Sequence, residues 1–274
     1  MSELDDLGEL STLVRGAYGR VHEHHPSLGS TNDRGMQWLQ QGAPHGAVVT
    51  TDTQTAGRGR RGRQWLSPPG QGLCVSLLLR PGPLGETSRF GALGLAVGVG
   101  LREGLPPMRH PVELKWPNDL LVQGRKLGGI LCEARWVGDT PEVVVGFGLN
   151  VHPQSVPAPL REQASSVAEH VRGSMPGRAA LLADLLLGLE GAIEPFLRDG
   201  FAAVRERYLP HCSVLGRTIE VGDAASPAGT RRGVATRIDD CGALWVRPVG
   251  GDDDAGEAAP FMVDAADVWL APGG

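Results

Sequence analysis

Two runs that read as β-strands, residues 47–53 (rich in Val and Thr) and the apolar run 72–80, frame the nonapeptide Gly57-Arg58-Gly59-Arg60-Arg61-Gly62-Arg63-Gln64-Trp65. The whole chain carries a formal charge of −5, so four arginines in one loop are not a solubility device. Glycines between them remove Cβ atoms, which lets backbone N–H groups approach a ligand and φ turn positive. Such a loop suits a ligand with several negative charges. Gly57, Gly59 and Gly62 also match G-x-G-x-x-G, yet a dinucleotide fingerprint keeps small apolar residues between its glycines and opens a helix. An Arg/Gly stretch can mark RNA binding, although such segments usually come as disordered repeats. Taken alone, the nonapeptide leaves these readings open beside a structured loop over a phosphate-bearing substrate.

Composition narrows the class. At 274 residues, 41% hydrophobic and 21% charged, the chain has the profile of a soluble protein with one sizeable domain and a smaller one. Apolar stretches such as 73–79 and 181–187 fall far short of the roughly 20 residues that span a bilayer. The N-terminus lacks the basic start and apolar run of a secretory signal, so a cytoplasmic protein without a membrane partner is expected. Cys74, Cys132, Cys212 and Cys241 lie far apart with no C-x-x-C, the pattern of reduced thiols. His22, His24 and His25 crowd before Pro26, but no second cluster completes a ligand set; they read as a solvated loop, and no protein-held metal is expected. The acidic balance argues against a non-specific nucleic-acid binder.

Periodicity sketches the elements. Residues 1–21 read as a short helical lead-in, and 27–33 as a loop capping a helix from about 33 to 41. Residues 90–105 keep helical spacing despite their glycines. Strands are expected at 113–116, 119–122 and 126–136, with Gln123-Gly124 as the hairpin turn, and at 143–147. The Pro-, Ser- and Gln-rich stretch 151–166 reads as a mobile loop. The longest helical pattern is 178–197, continued by 201–208 after a break at Asp199-Gly200. From Gly216 the texture changes to short β runs at 218–221, 233–238, 243–248, 260–263 and 268–270, as in a small barrel, with Asp252-Asp253-Asp254 at a hairpin tip.

Three further motifs carry chemistry. In Lys115-Trp116-Pro117-Asn118-Asp119 a lysine ends a strand beside a proline, well placed to present a point charge to a carboxylate or phosphate; an ordinary surface turn is the alternative. Trp116 reads as packing. Paired glycines in Lys126-Leu127-Gly128-Gly129-Ile130-Leu131 imply close approach of a backbone or a ligand. Gly146-Phe147-Gly148-Leu149-Asn150 ends in an amide able to donate and accept.

Together with Ser30-Thr31-Asn32 and Gln54, these motifs stand in the order and approximate spacing of the biotin protein ligases, which the chain resembles over roughly residues 27–271. The resemblance implies an α/β (α+β) catalytic domain related to class II aminoacyl-tRNA synthetases over 1–212, then a small SH3-like β-barrel over 213–274. It implies ATP and biotin as substrates, Mg²⁺ bound mainly through ATP, and biotinyl-5′-AMP as intermediate. The acceptor it implies is a lysine on the biotin carboxyl carrier domain of acetyl-CoA carboxylase. By the same resemblance Ser30, Thr31, Asn32 and Gln54 line the biotin pocket, and Arg58, Gly59 and Arg60 order over the adenylate. Lys115 bridges the biotin carboxyl and the α-phosphate, while Lys126, Gly129 and Asn150 fall in strands lining the cavity. Bringing two anions together costs about 4 kcal/mol per like-charge pair at about 4 Å and an effective dielectric constant of ~20. Lys115, Arg58, Arg60 and Mg²⁺ are the groups expected to offset it. The mixed anhydride must be kept from water, and a flexible loop that covers it with a side chain such as Trp65 would do so. Some relatives carry an N-terminal DNA-binding domain. Only 26 residues precede the loop at 27, so the short form without a DNA partner is expected, and a homodimer stays open. The rival activity is that of a lipoate–protein ligase, and a nucleic-acid-binding module is the more distant rival.

Overall fold

A computed structural model of the chain describes residues 7–82, 87–223, 226–249, 259–264 and 267–270. The start of the lead-in and the tip expected at Asp252-Asp253-Asp254 lie outside them. Strands β1 (His22–His25), β2 (Val48–Thr51), β3 (Gly72–Leu79), β4 (Val112–Lys115), β5 (Asp119–Val122), β6 (Arg125–Val137) and β7 (Thr140–Asn150) form one sheet in the order β1-β2-β3-β7-β6-β5-β4. Only β1 and β2 pair in parallel among these neighbours. The α-helices among the described residues are α1 (Leu10–Leu13), α2 (Thr31–Gln40), α3 (Leu93–Gly104), α4 (Val167–His170), α5 (Arg178–Asp199) and α6 (Ala202–Tyr208).

Every residue of β3 is buried, as an apolar run covered on both faces must be. Its odd-numbered residues, Leu73 to Leu79, join α3 and α5 in the main core. On the opposite face, Leu78 packs with Val144 and Leu39 beneath α2. Glycine is a poor helix former, and in α3 it is compensated by contact. A Cβ on Gly188 of α5 would stand 2.4 Å from the carbonyl oxygen of Gly100 in α3, so the two backbones touch. The break between α5 and α6 falls at Gly200, with φ +72°.

The histidine cluster expected to be a solvated loop is instead the half-buried edge strand β1. Hydrogen bonds of 2.8 and 3.0 Å join Thr50 Oγ1 to His22 Nε2 and His24 Nδ1. Burial, then the neighbouring His24, lowers the His22 pKa from 6.5 to about 4. Unfolding releases that constraint, so between pH 6.5 and about 4 the unfolded chain binds the extra proton. This share of stability is complete above pH 6.5 and is lost as pH falls toward 4. His22→Asn is expected to flatten the decline, read as urea midpoints at pH about 7.5 and about 4.5. An unchanged decline would remove His22 as its cause.

Strands β8 (Thr218–Asp223), β9 (Ser226–Ile238), β10 (Leu244–Pro248), β11 (Phe261–Val263) and β12 (Asp267–Leu270) form a second, antiparallel sheet in the order β11-β10-β9-β8-β12. Trp116 fastens it to the first. Its indole is 1% exposed and Nε1 donates to the Gly242 carbonyl at 2.9 Å. Trp116 therefore packs, as expected. Trp116→Phe leaves that carbonyl unpaired, at an expected cost of about 1–3 kcal/mol in thermal unfolding. An unchanged Tm would show that the anchor adds nothing.

Candidate active site

Strand register explains where a cleft can form. Cys74, Gly148, Gly129, Asp119 and Lys115 stand in one row across β3, β7, β6, β5 and β4. Ser76, Gly146 and Leu131 form the neighbouring row. Glycines in both rows hollow the sheet face next to α2. A Cβ on Gly146 would stand 2.1 Å from Asn32 Oδ1, and one on Gly148 would stand 2.2 Å from the Trp65 indole. These two side chains occupy the room that the missing Cβ atoms leave.

The first turn of α2 makes one wall. Ser30 sits at the N-cap in extended conformation without a side-chain cap bond; Gln54 supplies the cap instead. Its Oε1 accepts Thr31 N at 2.9 Å and Thr31 Oγ1 at 3.2 Å. Asn32 donates through Nδ2 to Leu131 O at 3.2 Å and to Glu133 Oε2 at 2.6 Å. Asn32 Oδ1 accepts Ser76 Oγ at 2.6 Å. Both amide hydrogens of Asn32 are thus used inside the protein.

The arginine–glycine loop folds over the hollow as a tight hairpin. Gly59 N donates to Arg63 O at 2.7 Å and Trp65 N to Gly57 O at 3.0 Å. At its tip φ is positive at Gly62, +72°, and also at Arg61, +56°. Arg58 gives both guanidinium nitrogens to Asp33, at 2.7 and 2.8 Å, and reaches Glu133 at 3.3 Å. The hydrogen bonds to Asp33 raise the Arg58 pKa, and Arg58 in turn lowers that of the Asp33 carboxyl. Arg61 Nη1 donates to Gly222 O on β8 at 3.2 Å.

Lys126 enters from the opposite wall because β6 is irregular. Asp119 pairs with Gly129 and Leu120 with Gly128, but Leu121 pairs with Lys126, so the register slips by one residue. The β-bulge lets Leu127 stay in the core while Lys126 turns to the cleft side. Lys126 Nζ donates to Asp119 Oδ1 at 2.6 Å and lies 5.8 Å from the Trp65 ring centroid. Asn118 braces this corner, donating Nδ2 to Ile130 O and accepting Ile130 N, both at 2.9 Å.

The cleft encloses about 740 Å³, part of it open to solvent. Ser30, Thr31, Asn32, Gln54, Arg58, Gly59, Arg60, Trp65, Lys126 and Gly129 all line it. Its walls combine a polar patch, an indole and several cations, which suits a small polar acid beside a phosphate. Thiol chemistry is not available, since burial pushes Cys74 up to about 11 and Cys132 up to about 12. Among the described residues no three His, Cys, Asp or Glu side chains are placed to hold a metal ion. None of the described helices is long and apolar enough to cross a membrane.

The Biotin/lipoate A/B protein ligase family model matches residues 25–150. The biotin–acetyl-CoA-carboxylase ligase of Paracoccus denitrificans is 34% identical over 255 residues, covering 88% of this chain and 97% of that one. The chain belongs to the biotin protein ligase family. The bifunctional ligase/repressor BirA of Bacillus subtilis is 34% identical over 249 residues, 89% of this chain and 74% of that protein. The solved biotin protein ligase of Aquifex aeolicus, in complex with biotin and ATP, shares the fold, with a TM-score of 0.72 at 24% identity over 92% of this chain and all of that one.

Two residues expected at the ligand of this biotin protein ligase do not line the cleft. Lys115 does not line the cleft; it ends β4 at the far end of its row, opposite Asp119. Asn150 is buried, and Nδ2 donates to Ser165 O at 3.1 Å and Lys126 O at 3.4 Å. It ties the 151–166 segment to β6. That segment, expected to be mobile, is held by Lys126 N to Gln163 O at 2.8 Å and Ser165 N to Lys126 O at 2.9 Å. Asn118, Asp119, Gly146 and Gly148 also line the cleft beyond the expected site residues, although all four stand in the motifs at 115–119 and 146–150.

Proposed function

We propose that the chain activates biotin with ATP and transfers it to one lysine of the biotin carboxyl carrier domain of acetyl-CoA carboxylase. A biotin carboxylate oxygen attacks the α-phosphorus and pyrophosphate leaves. The carrier amine then attacks the carbonyl of biotinyl-5′-AMP and AMP leaves. The observation that carries this reading is Lys126, held by Asp119 over the glycine hollow and facing Trp65 across the cleft.

Lys126 and Arg60 take the charge that builds where carboxylate meets α-phosphate, the role that sequence reasoning gave to Lys115. Arg58, already shared by two carboxylates, holds the loop in place. Trp65 excludes water from the mixed anhydride. Magnesium arrives on the ATP phosphates. The acceptor amine finds its electrophile already activated, so proximity supplies much of the second step. Ser30, Thr31 and Gln54 offer hydroxyls and an amide to a ureido ring, which a dithiolane could not use. That polar wall favours biotin over lipoate.

The strand order β12-β8-β9-β10-β11 supports an SH3-like barrel for the smaller domain, with the boundary near residue 213. Pyrophosphate release with ATP and each acid tests the function. Release with biotin and none with lipoate is expected, and the reverse would overturn it.

A further inference from the structure

One carboxylate touches both the pocket wall and the loop that covers it. Glu133 Oε2 accepts Asn32 Nδ2 at 2.6 Å, and both Glu133 oxygens lie 3.3 Å from Arg58 Nη2. Asn32 and Asp33 are consecutive in the first turn of α2. Asn32 turns inward to Ser76 and Leu131, whereas Asp33 turns outward and takes the Arg58 guanidinium by both nitrogens. Resting on the biotin–ATP reading of this cleft, we propose that Glu133 is a positioning residue that couples biotin occupancy to docking of the loop 57–65.

The chemistry calls for a carboxylate. An ionised acid only accepts, so it can hold an amide N–H and a guanidinium N–H together. Asn32 has no spare N–H, so a ligand that settles the first turn of α2 also settles Glu133 and Asp33. Both acids grip the same guanidinium, and the loop hairpin begins beside it, where Arg58 bridges Gln64. Glutamine at position 133 would keep an oxygen for Asn32 while losing the charge that holds Arg58.

Trypsin, which cuts after arginine, reads loop docking directly. Wild type, Glu133→Gln and Asp33→Asn are digested with and without biotin, and release of preformed biotinyl-5′-AMP is timed. In wild type, biotin slows cleavage between residues 58 and 63. Glu133→Gln binds biotin within about twofold of wild type, loses that protection and releases the adenylate about fivefold faster. Asp33→Asn, which touches only the loop arm, speeds release and keeps biotin affinity within about twofold of wild type. Equal protection of wild type and Glu133→Gln would overturn the coupling. A collapse of biotin affinity in Glu133→Gln would also overturn it, because Glu133 would then be a wall of the pocket. A wild type that makes no biotinyl-5′-AMP would overturn the function, and the coupling with it. An active wild type with an unchanged Glu133→Gln would overturn the coupling alone.

Discussion

Lys126→Ala is expected to slow biotinyl-5′-AMP formation by about 10²–10³-fold, the usual loss when a preorganised donor to a developing charge is removed. Lys115→Ala is expected to cost less than about tenfold, as the loss of a more distant charge would. The two lysines sit in neighbouring motifs and stand on the same side of the sheet, so charge alone does not separate them. Position does. Lys126 Nζ lies over the glycine hollow, 2.6 Å from Asp119 and beside Trp65, while Lys115 ends its strand outside the lining. The Lys126 side chain is about a third exposed, and its loss leaves Asp119 open to water, so the fold should survive. Single-turnover adenylate formation measured by quenched flow checks the pair. A larger loss in Lys115→Ala would return the catalytic role to that residue.

Gly146→Ala carries the other large effect. Its Cβ would stand 2.1 Å from Asn32 Oδ1 and 2.8 Å from the remaining amide atoms, closer than any relaxed contact allows. The Asn32 side chain is held by Ser76, Leu131 and Glu133, so it cannot turn away without breaking three bonds. The first turn of α2 must shift, taking Ser30 and Thr31 with it. Overpacking of this kind costs about 1–3 kcal/mol of stability, and the displaced wall should weaken biotin binding by about tenfold or more. Urea unfolding and biotin titration calorimetry read the two effects separately. Biotin affinity within about twofold of wild type would show that the Asn32 wall is not part of the pocket.

Much of the architecture is legible in local pattern. Gln123 and Gly124 both take positive φ, +51° and +73°, as a two-residue hairpin requires. The fully apolar run of β3, the long α5 and the stop at Gly200 follow from composition and backbone preference. The parallel edge strand β1 was not legible, because three histidines carry a polar signature and Thr50, which bonds two of them, is 26 and 28 residues away. Nor was the order in residues 151–166, whose short turns are tied at both ends by hydrogen bonds to Gln71 and Lys126, far off in sequence. Asn150 carried a functional reading for the same reason: an amide at a strand end looks the same in sequence whether it faces a ligand or a loop.

By itself the sequence determined the inventory: an arginine–glycine loop between two strands, a polar Ser-Thr-Asn turn, a lysine in each of two neighbouring motifs and glycines at strand positions that ask for close approach. It also determined the family, through the order of those motifs. Only the tertiary structure decided which lysine lines the cleft. Strict alternation along β6 would set Lys126 with Gly128 and Ile130, on the face opposite Gly129. The slip in register between Leu120 and Leu121 reverses that, and places Lys126 over the hollow with Asp119. The slip depends on how two strands pair, and no single strand's residue pattern encodes it.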